Sequence, residues 1–260
     1  MTAPTSKIKY EINCQWGARA ASPESLAPRF LSTIDQLRRV DPGLDGWNWY
    51  NENEYLESGG VYGVTPLIEV RPWMVEAIKE NMCRDYDTNL PDPQLGYTMP
   101  AGMFKNSGSN YIDISITDGD PWPDKTYAKN CARFVNNDDD FANDVFVTFR
   151  VYKAAMLILS ETWEATWAKA FPCDMVQKTD WDGMKPGWGW MVYVCPHLAK
   201  LVTPPSGVLV ERRPNGGLFL AATDEVFDAD NPRHIAAARL IRDAMRPVTS
   251  LKEPFVVPYL

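Results

Sequence analysis

Residues 7–43 read KIKYEINCQWGARAASPESLAPRFLSTIDQLRRVDPG, and this stretch decides the fold class. Along 7–16 the side chains alternate, with Ile8, Tyr10, Ile12 and Cys14 on one face and Lys9, Glu11 and Asn13 on the other. A period of two is what a strand with one buried face requires. After Gly17-Ala18-Arg19, Ser22 is placed to cap a helix and Pro23 to start it, where a missing N–H costs nothing. Leu26, Phe30, Ile34 and Leu37 then recur at helical spacing until Asp41-Pro42-Gly43. The helix is expected to lie against the strand.

Further along, residues 45–72 hold tryptophans, acids and Gly59-Gly60 without sustained periodicity, an irregular excursion with a short strand expected at 67–70. Loops of this length often carry recognition. A short helix over 72–83 and a Pro-rich connection follow. Residues 96–104 and 110–117 form an expected hairpin, with Ile112, Ile114 and Ile116 on one face opposite Asp113 and Ser115. Residues 118–140 read as Asp-rich loop around a short strand at 132–135. Residues 145–151 would fit a strand, but Val145, Phe149, Tyr152, Met156, Leu159 and Trp163 also share one helical stripe, which favours a helix over about 150–163 and leaves its start open. Strands are expected at 188–194, 208–212 and 218–223. A final helix starts at Pro232, capped by Asp230 or Asn231, and is expected to bury Ala237, Leu240, Ile241, Ala244 and Met245. Strands and helices mix without a regular strand-helix-strand rhythm. The expected class is therefore α+β, a mainly antiparallel sheet with helices packed against it, as one domain over 1–260 or two packed lobes.

The composition narrows function. Apolar residues make up 45% of the 260, enough for a large core. The longest apolar stretch, 151–159, is interrupted by Lys153 and falls short of the roughly 20 residues a bilayer span needs, so no membrane helix is expected. The first ten residues lack an apolar secretion core, and a cytoplasmic protein is expected. Five scattered cysteines with no C-x-x-C spacing read as buried thiols of a reducing compartment, not a disulfide framework or zinc site. The net charge is −8, which repels phosphate backbones and attracts a basic partner. Between 113 and 144, eight aspartates face two lysines and one arginine, a net −5.

Candidate chemistry is sparse. Cys195-Pro196-His197 puts a thiol near an imidazole, but adjacency in sequence does not make a catalytic pair; it reads as a core cysteine and a surface histidine. His234, in the first turn of the last helix, reads as a solvated side chain. The clusters Asp118-Gly119-Asp120 and Asp138-Asp139-Asp140 have three readings: solvated loops, an acidic surface facing a partner, or a Mg²⁺ or Ca²⁺ site. Neither matches a calcium-loop pattern, and no phosphate-binding, dinucleotide or nucleophile-elbow motif occurs. Asp228 to Asn231 have a simpler role at the start of the last helix. Most of the ten tryptophans are core or core-edge residues; Trp47, Trp49, Trp122 and Trp181, in irregular segments, are candidate interface anchors. The expected partner-binding set is thus Asp118, Asp120, Asp138, Asp139, Asp140, Trp47, Trp49 and Trp122, with no catalytic, cofactor-binding or metal residues.

Trp16-Gly17-Ala18-Arg19 followed by Ser22-Pro23-Glu24-Ser25, then Asp41-Pro42 and Trp47, resembles the start of the immunity protein 52 family. The far end is similar to the same family: residues 216–225 (GGLFLAATDE), 227–232 (FDADNP) and 234–239 (HIAAAR), with Trp163, Trp167, Gly189-Trp190-Met191 and Tyr193 as further landmarks. The likeness spans nearly the whole chain in order, dense at both ends and sparse over about 50–143. It implies a cognate immunity protein that binds and blocks a secreted toxin of a polymorphic or type VI secretion system, commonly a restriction-endonuclease-fold nuclease with a basic cleft. Complementary charge would speed such an encounter and buried tryptophans would anchor it. Two rival readings are a metal-dependent hydrolase built on an acidic cluster and an effector-specific chaperone or adaptor.

Overall fold

The computed structural model describes residues 8–51, 63–85, 87–104, 110–121, 130–136, 146–178 and 186–251. The strands are β1 (Tyr10–Gln15), β2 (Asn48–Tyr50), β3 (Val64–Pro66), β4 (Tyr97–Phe104), β5 (Asn110–Asp118), β6 (Cys131–Asn136), β7 (Trp167–Pro172), β8 (Met191–Val194), β9 (Leu209–Arg212) and β10 (Leu218–Ala221). The main helices are α1 (Pro23–Val40), α2 (Leu67–Val70), α3 (Met74–Glu80) and α4 (Phe149–Thr162), followed by α5 (Met175–Lys178), α6 (Pro196–Ala199), α7 (Pro232–Ala244) and α8 (Arg246–Thr249). Among the described residues the strands form one sheet in the order β3-β2-β4-β5-β6-β1-β7-β8-β10-β9, and every pairing is antiparallel. The α+β class read from the sequence holds.

β1 sits in the middle of the sheet because its alternation is matched on both sides. Ile12 pairs with Phe134 of β6 and Ala170 of β7, and Cys14 pairs with Ala132 and Ala168. Continuing outward, Ile114 and Ile116 of β5 meet Ala101 and Met99 of β4 on the same face. All of these are buried, beneath α1 and α4. Phe30 of α1 meets Trp49 edge-on at 5.7 Å, Tyr152 of α4 meets Phe134 at 5.8 Å, and the Cys14 thiol lies 3.9 Å from the Ser160 hydroxyl. The opposite face of β4, β5, β6 and β1 carries Thr98, Asp113, Ser115, Thr117, Arg133, Glu11 and Asn13, all half-buried or exposed. One sheet therefore has an apolar face that organises the core and, over this half, a mixed opposite face on which Gln15, Pro100 and Val135 are buried beside these polar side chains.

Several local expectations are corrected. Residues 67–70 form the short helix α2, not a strand, because Pro66 breaks the extended run and Leu67 and Val70 turn inward one helical turn apart. Within the excursion at 45–72 lie the short strands β2 and β3. The whole of β7 escaped the sequence reading. Its residues, WAKAFP, are buried on both faces, and a central strand loses the alternation that betrays an edge or half-exposed one. Lys169, in its middle, is 1% exposed, with its ammonium 5.7 Å from the Trp167 ring centre and 5.4 Å from that of Phe171. α4 starts at Phe149 because the Thr148 hydroxyl accepts the Val151 N–H. Along α7 the buried stripe is His234, Ala238 and Ile241, continued by Met245; Leu240 is 41% exposed.

Candidate partner-binding surface

Asp118 ends β5 and is fully buried. Its carboxylate accepts the Trp16 indole N–H at 3.0 Å, the Gly119 N–H at 2.9 Å, and Arg19 Nε at 2.9 Å from both oxygens, with a further contact from Arg19 Nη2. Arg19 reaches it because β1 ends at Gln15 and the chain turns through Gly17, whose carbonyl is held by the Asn130 side-chain amide at 2.9 Å. The Arg19 N–H donates to the Asp120 carbonyl at 3.0 Å, and Asn130 Oδ1 accepts the Asp120 N–H at 3.1 Å. Above this knot Trp16 stacks on Trp163 at 5.7 Å, the Arg19 guanidinium lies over both rings, and Glu164 pairs with Arg19 at 3.4 Å and Arg29 at 3.6 Å. The Trp16 to Arg19 landmark is thus a lock between β1, β5 and the end of α4.

The placement of Asp118 and Asp120 on a partner-facing or metal-binding surface is therefore corrected. Asp120 is 3% exposed, and the lone pairs of Asp118 are taken by N–H donors, which leaves a cation no approach. Trp47 and Trp49 are likewise corrected from interface anchors to core residues. Each is 4% exposed, because α1 covers this end of the sheet; Trp47 Nε1 donates to the Leu44 carbonyl at 2.9 Å. Trp122, Trp181, Asp138, Asp139 and Asp140 lie outside the described residues.

His234 is also corrected from a solvated side chain. It is 7% exposed and its Nδ1 accepts the Asp228 N–H at 3.0 Å. Asn231 is the cap of α7, accepting the Arg233 N–H at 3.0 Å, while Asp228 braces the preceding turn through the Asp230 N–H at 2.8 Å. His197 is exposed and Cys195 half-buried. None of the five cysteines is in a disulfide, and burial pushes Cys14 up to about 12 against the opposing hydrogen bond of Ser160. Among the described residues no three His, Cys, Asp or Glu side chains gather in a metal-binding group, and no helix is long and apolar enough to cross a membrane.

The face of the sheet opposite the core carries half-buried and exposed polar side chains among the described residues. There Arg133 of β6 pairs with Glu11 of β1 at 2.9 Å, and the Tyr50 hydroxyl donates to Asp113 at 2.7 Å. Burial holds the Asp113 carboxyl above its usual range, opposed by the Tyr50 hydrogen bond and by Arg133. The alternation of Asp113 and Ser115 with isoleucines marked this face in the sequence, but only the register shows that β6 and β1 extend it. A separate cleft of about 480 Å³ between α1 and β2–α2 is lined by Ile34, Trp47, Pro66 and Leu67, with Arg38 and Arg71 at its mouth. Both guanidiniums are already paired, with Asp45 at 2.8 Å and with Asp35 at 3.1 Å.

A family model described as immunity protein 52 matches residues 9–253. Among solved structures, the Pseudomonas aeruginosa T6SS protein PA0821 is similar with a TM-score of 0.51 at 12% sequence identity, over 92% of this chain and 72% of that one. At that identity the likeness speaks for the fold alone. No protein of curated function matches the sequence. With 245 consecutive positions matched, from the first residues of β1 to beyond α8, the chain belongs to the immunity protein 52 family.

Proposed function

We propose that this chain acts in the cytoplasm as a binding inhibitor of a secreted nuclease toxin, docking acidic side chains on the toxin's basic substrate cleft. The observation that carries the reading is the distribution of charge: a net −8, with −5 of it in residues 113–144. Asp118 and Asp120 are internal, so the docking charge falls to Asp138, Asp139 and Asp140, with Trp122 as the aromatic anchor. Asp113 and Ser115 of β5 and Arg133 of β6, half-buried or exposed, adjoin these segments in sequence. A cleft built to hold a phosphate backbone is cationic, and carboxylates arrayed before it raise the encounter rate and exclude the substrate. The hydrolase reading loses its best-placed carboxylate, because Asp118 is enclosed by indole, guanidinium and backbone N–H groups.

The test is co-expression with the product of the adjacent upstream gene, scoring survival, DNA integrity and co-purification together. Survival with intact DNA and a stable complex is expected. Protection without secretion separates inhibition from a chaperone role. Reversing Asp138, Asp139 and Asp140 to lysine is expected to slow association by about tenfold or more and to flatten its salt dependence. Unchanged affinity and salt dependence would remove the docking site from this segment, and protection without any complex would replace inhibition by an enzymatic reading.

A further inference from the structure

The cleft between α1 and β2–α2 has an apolar floor and a charged rim. Ile34, Trp47 and Leu67 form the floor, each no more than 4% exposed, and the one polar atom of these side chains, Trp47 Nε1, is spent on the Leu44 carbonyl. The volume of about 480 Å³ is in the range of ligand-binding clefts. At the rim Ile68 is 68% exposed, more than any other large apolar side chain among the described residues. A second hollow, lined by Asp35, Arg38, Arg39, Pro42 and Asp45, adjoins the first through Arg38 and Asp45, which line both. This rim holds more hydrogen-bond donors than acceptors. Both Asp35 oxygens accept from Arg71, and Asp45 Oδ1 accepts from Arg38 Nε and the Gly46 N–H. Arg38 Nη1 stands 3.9 Å from Asp35, beyond hydrogen-bond reach. Arg39 is exposed and has no ion pair among the described residues. Arg38, Arg39 and Arg71 thus face Asp35 and Asp45, a local excess of positive charge in a chain whose net charge is −8.

We propose that this cleft receives an apolar side chain of the toxin with a carboxylate beside it, a reading that rests on the binding inhibition proposed above. Whatever fills the floor must be apolar, since nothing there can satisfy a buried polar group. The unspent guanidinium N–H groups at the rim select an anionic acceptor, and a carboxylate matches their planar fork. The occupant belongs to a protein surface, because Ile68 keeps most of its area outside the cleft and is covered only by a surface that continues past it. The acids of residues 138–140 and this donor-rich cleft then make contacts of opposite sign. Two such contacts on one partner admit a single orientation, which a uniformly acidic surface would not enforce.

Two measurements test this. The first is an NMR titration of the full chain with N-acetylphenylalanine, which joins a ring to a carboxylate. Binding at millimolar concentration is expected to shift the Trp47 indole, the Ile68 methyls and the Nε–H signals of Arg38 and Arg39. N-acetylphenylalaninamide, the same body without the charge, is expected to bind at least about threefold more weakly, and Arg39→Gln to narrow that difference. Equal binding of the two probes, or no shift of these groups with either, would overturn the proposal. The second is the affinity for the product of the adjacent upstream gene. Ile68→Asp and Arg39→Glu are each expected to weaken it about tenfold or more, with unchanged melting because both side chains are exposed. Parent-like affinity in both variants would remove the cleft from the interface and leave the inhibition standing. Absence of any complex with the parent chain would remove both.

Discussion

Arg19 Nε lies 2.9 Å from both carboxylate oxygens of Asp118, 99 positions away in the chain, and Asp118 is fully buried while the Arg19 side chain is 14% exposed. The pair joins the exit of β1 to the end of β5, two strands that do not pair with each other but flank β6. Asp118→Ala leaves the guanidinium with its main partner gone and strips an acceptor from Trp16. A loss of about 3 kcal/mol of stability is expected, read as a lower urea midpoint. Toxin affinity of the folded fraction should stay unchanged, because this aspartate faces no partner.

Gly96 is the second check on the same junction. At φ +82° it occupies the left-handed region, and a Cβ there would sit 2.4 Å from the Asp118 carbonyl oxygen, a backbone atom with no freedom to retreat. Gly96→Ala combines strain with a clash and is expected to cost more than about 2 kcal/mol. Gly46→Ala, at a positive φ but with open space around it, should cost less, and thermal melts of the two variants would separate close approach from backbone strain.

Trp49 stands against Phe30 inside the core. Trp49→Ala is expected to lower stability by about 3–5 kcal/mol through the cavity it leaves. Denaturant unfolding measures that loss, and surface plasmon resonance under conditions where the variant is folded should show toxin binding retained.

Stability should fall at alkaline pH. Burial pushes Cys14 up to about 12, and Cys131 and Cys173 to about 11. An unfolded thiol ionises near ~8.5. Above that pH the unfolded chain has released protons that the folded chain still holds, so the stabilisation present below it is lost progressively as pH climbs toward the folded values. Cys14, fully enclosed, should contribute a slope of about 1.4 kcal/mol per pH unit in that window. Urea midpoints between neutral and strongly alkaline pH would show the decline, flattened in Cys14→Ala. Thiol reagents should leave Cys14 unmodified in the native chain.

The elements legible in the sequence were those with one buried face. The alternation around Ile12, the Ile112-Ile114-Ile116 row, the stripes of α1 and α4, and the Asn231-Pro232 start of α7 all declare themselves because half of each element meets water. β7 was hidden because a strand covered on both sides has no polar half to mark the period. Leu240 was misplaced on α7 because helical spacing admits more than one apolar stripe, and only packing selects His234, Ala238 and Ile241.

By itself, then, the sequence determined the fold class, the acidic charge of the middle section and, through its terminal landmarks, the family. Tertiary structure alone decided that Asp118, Asp120, Trp47 and Trp49 are closed to a partner. Composition counts buried Asp118 and exposed Asp87 as the same charge, and Trp49 as an aromatic in an irregular segment. Whether a side chain faces solvent depends on what a segment far along the chain places against it. Arg19 and Trp16 close over Asp118, and α1 closes over Trp49. Burial is a long-range property of the packed chain, and a residue's own neighbourhood in sequence does not contain it.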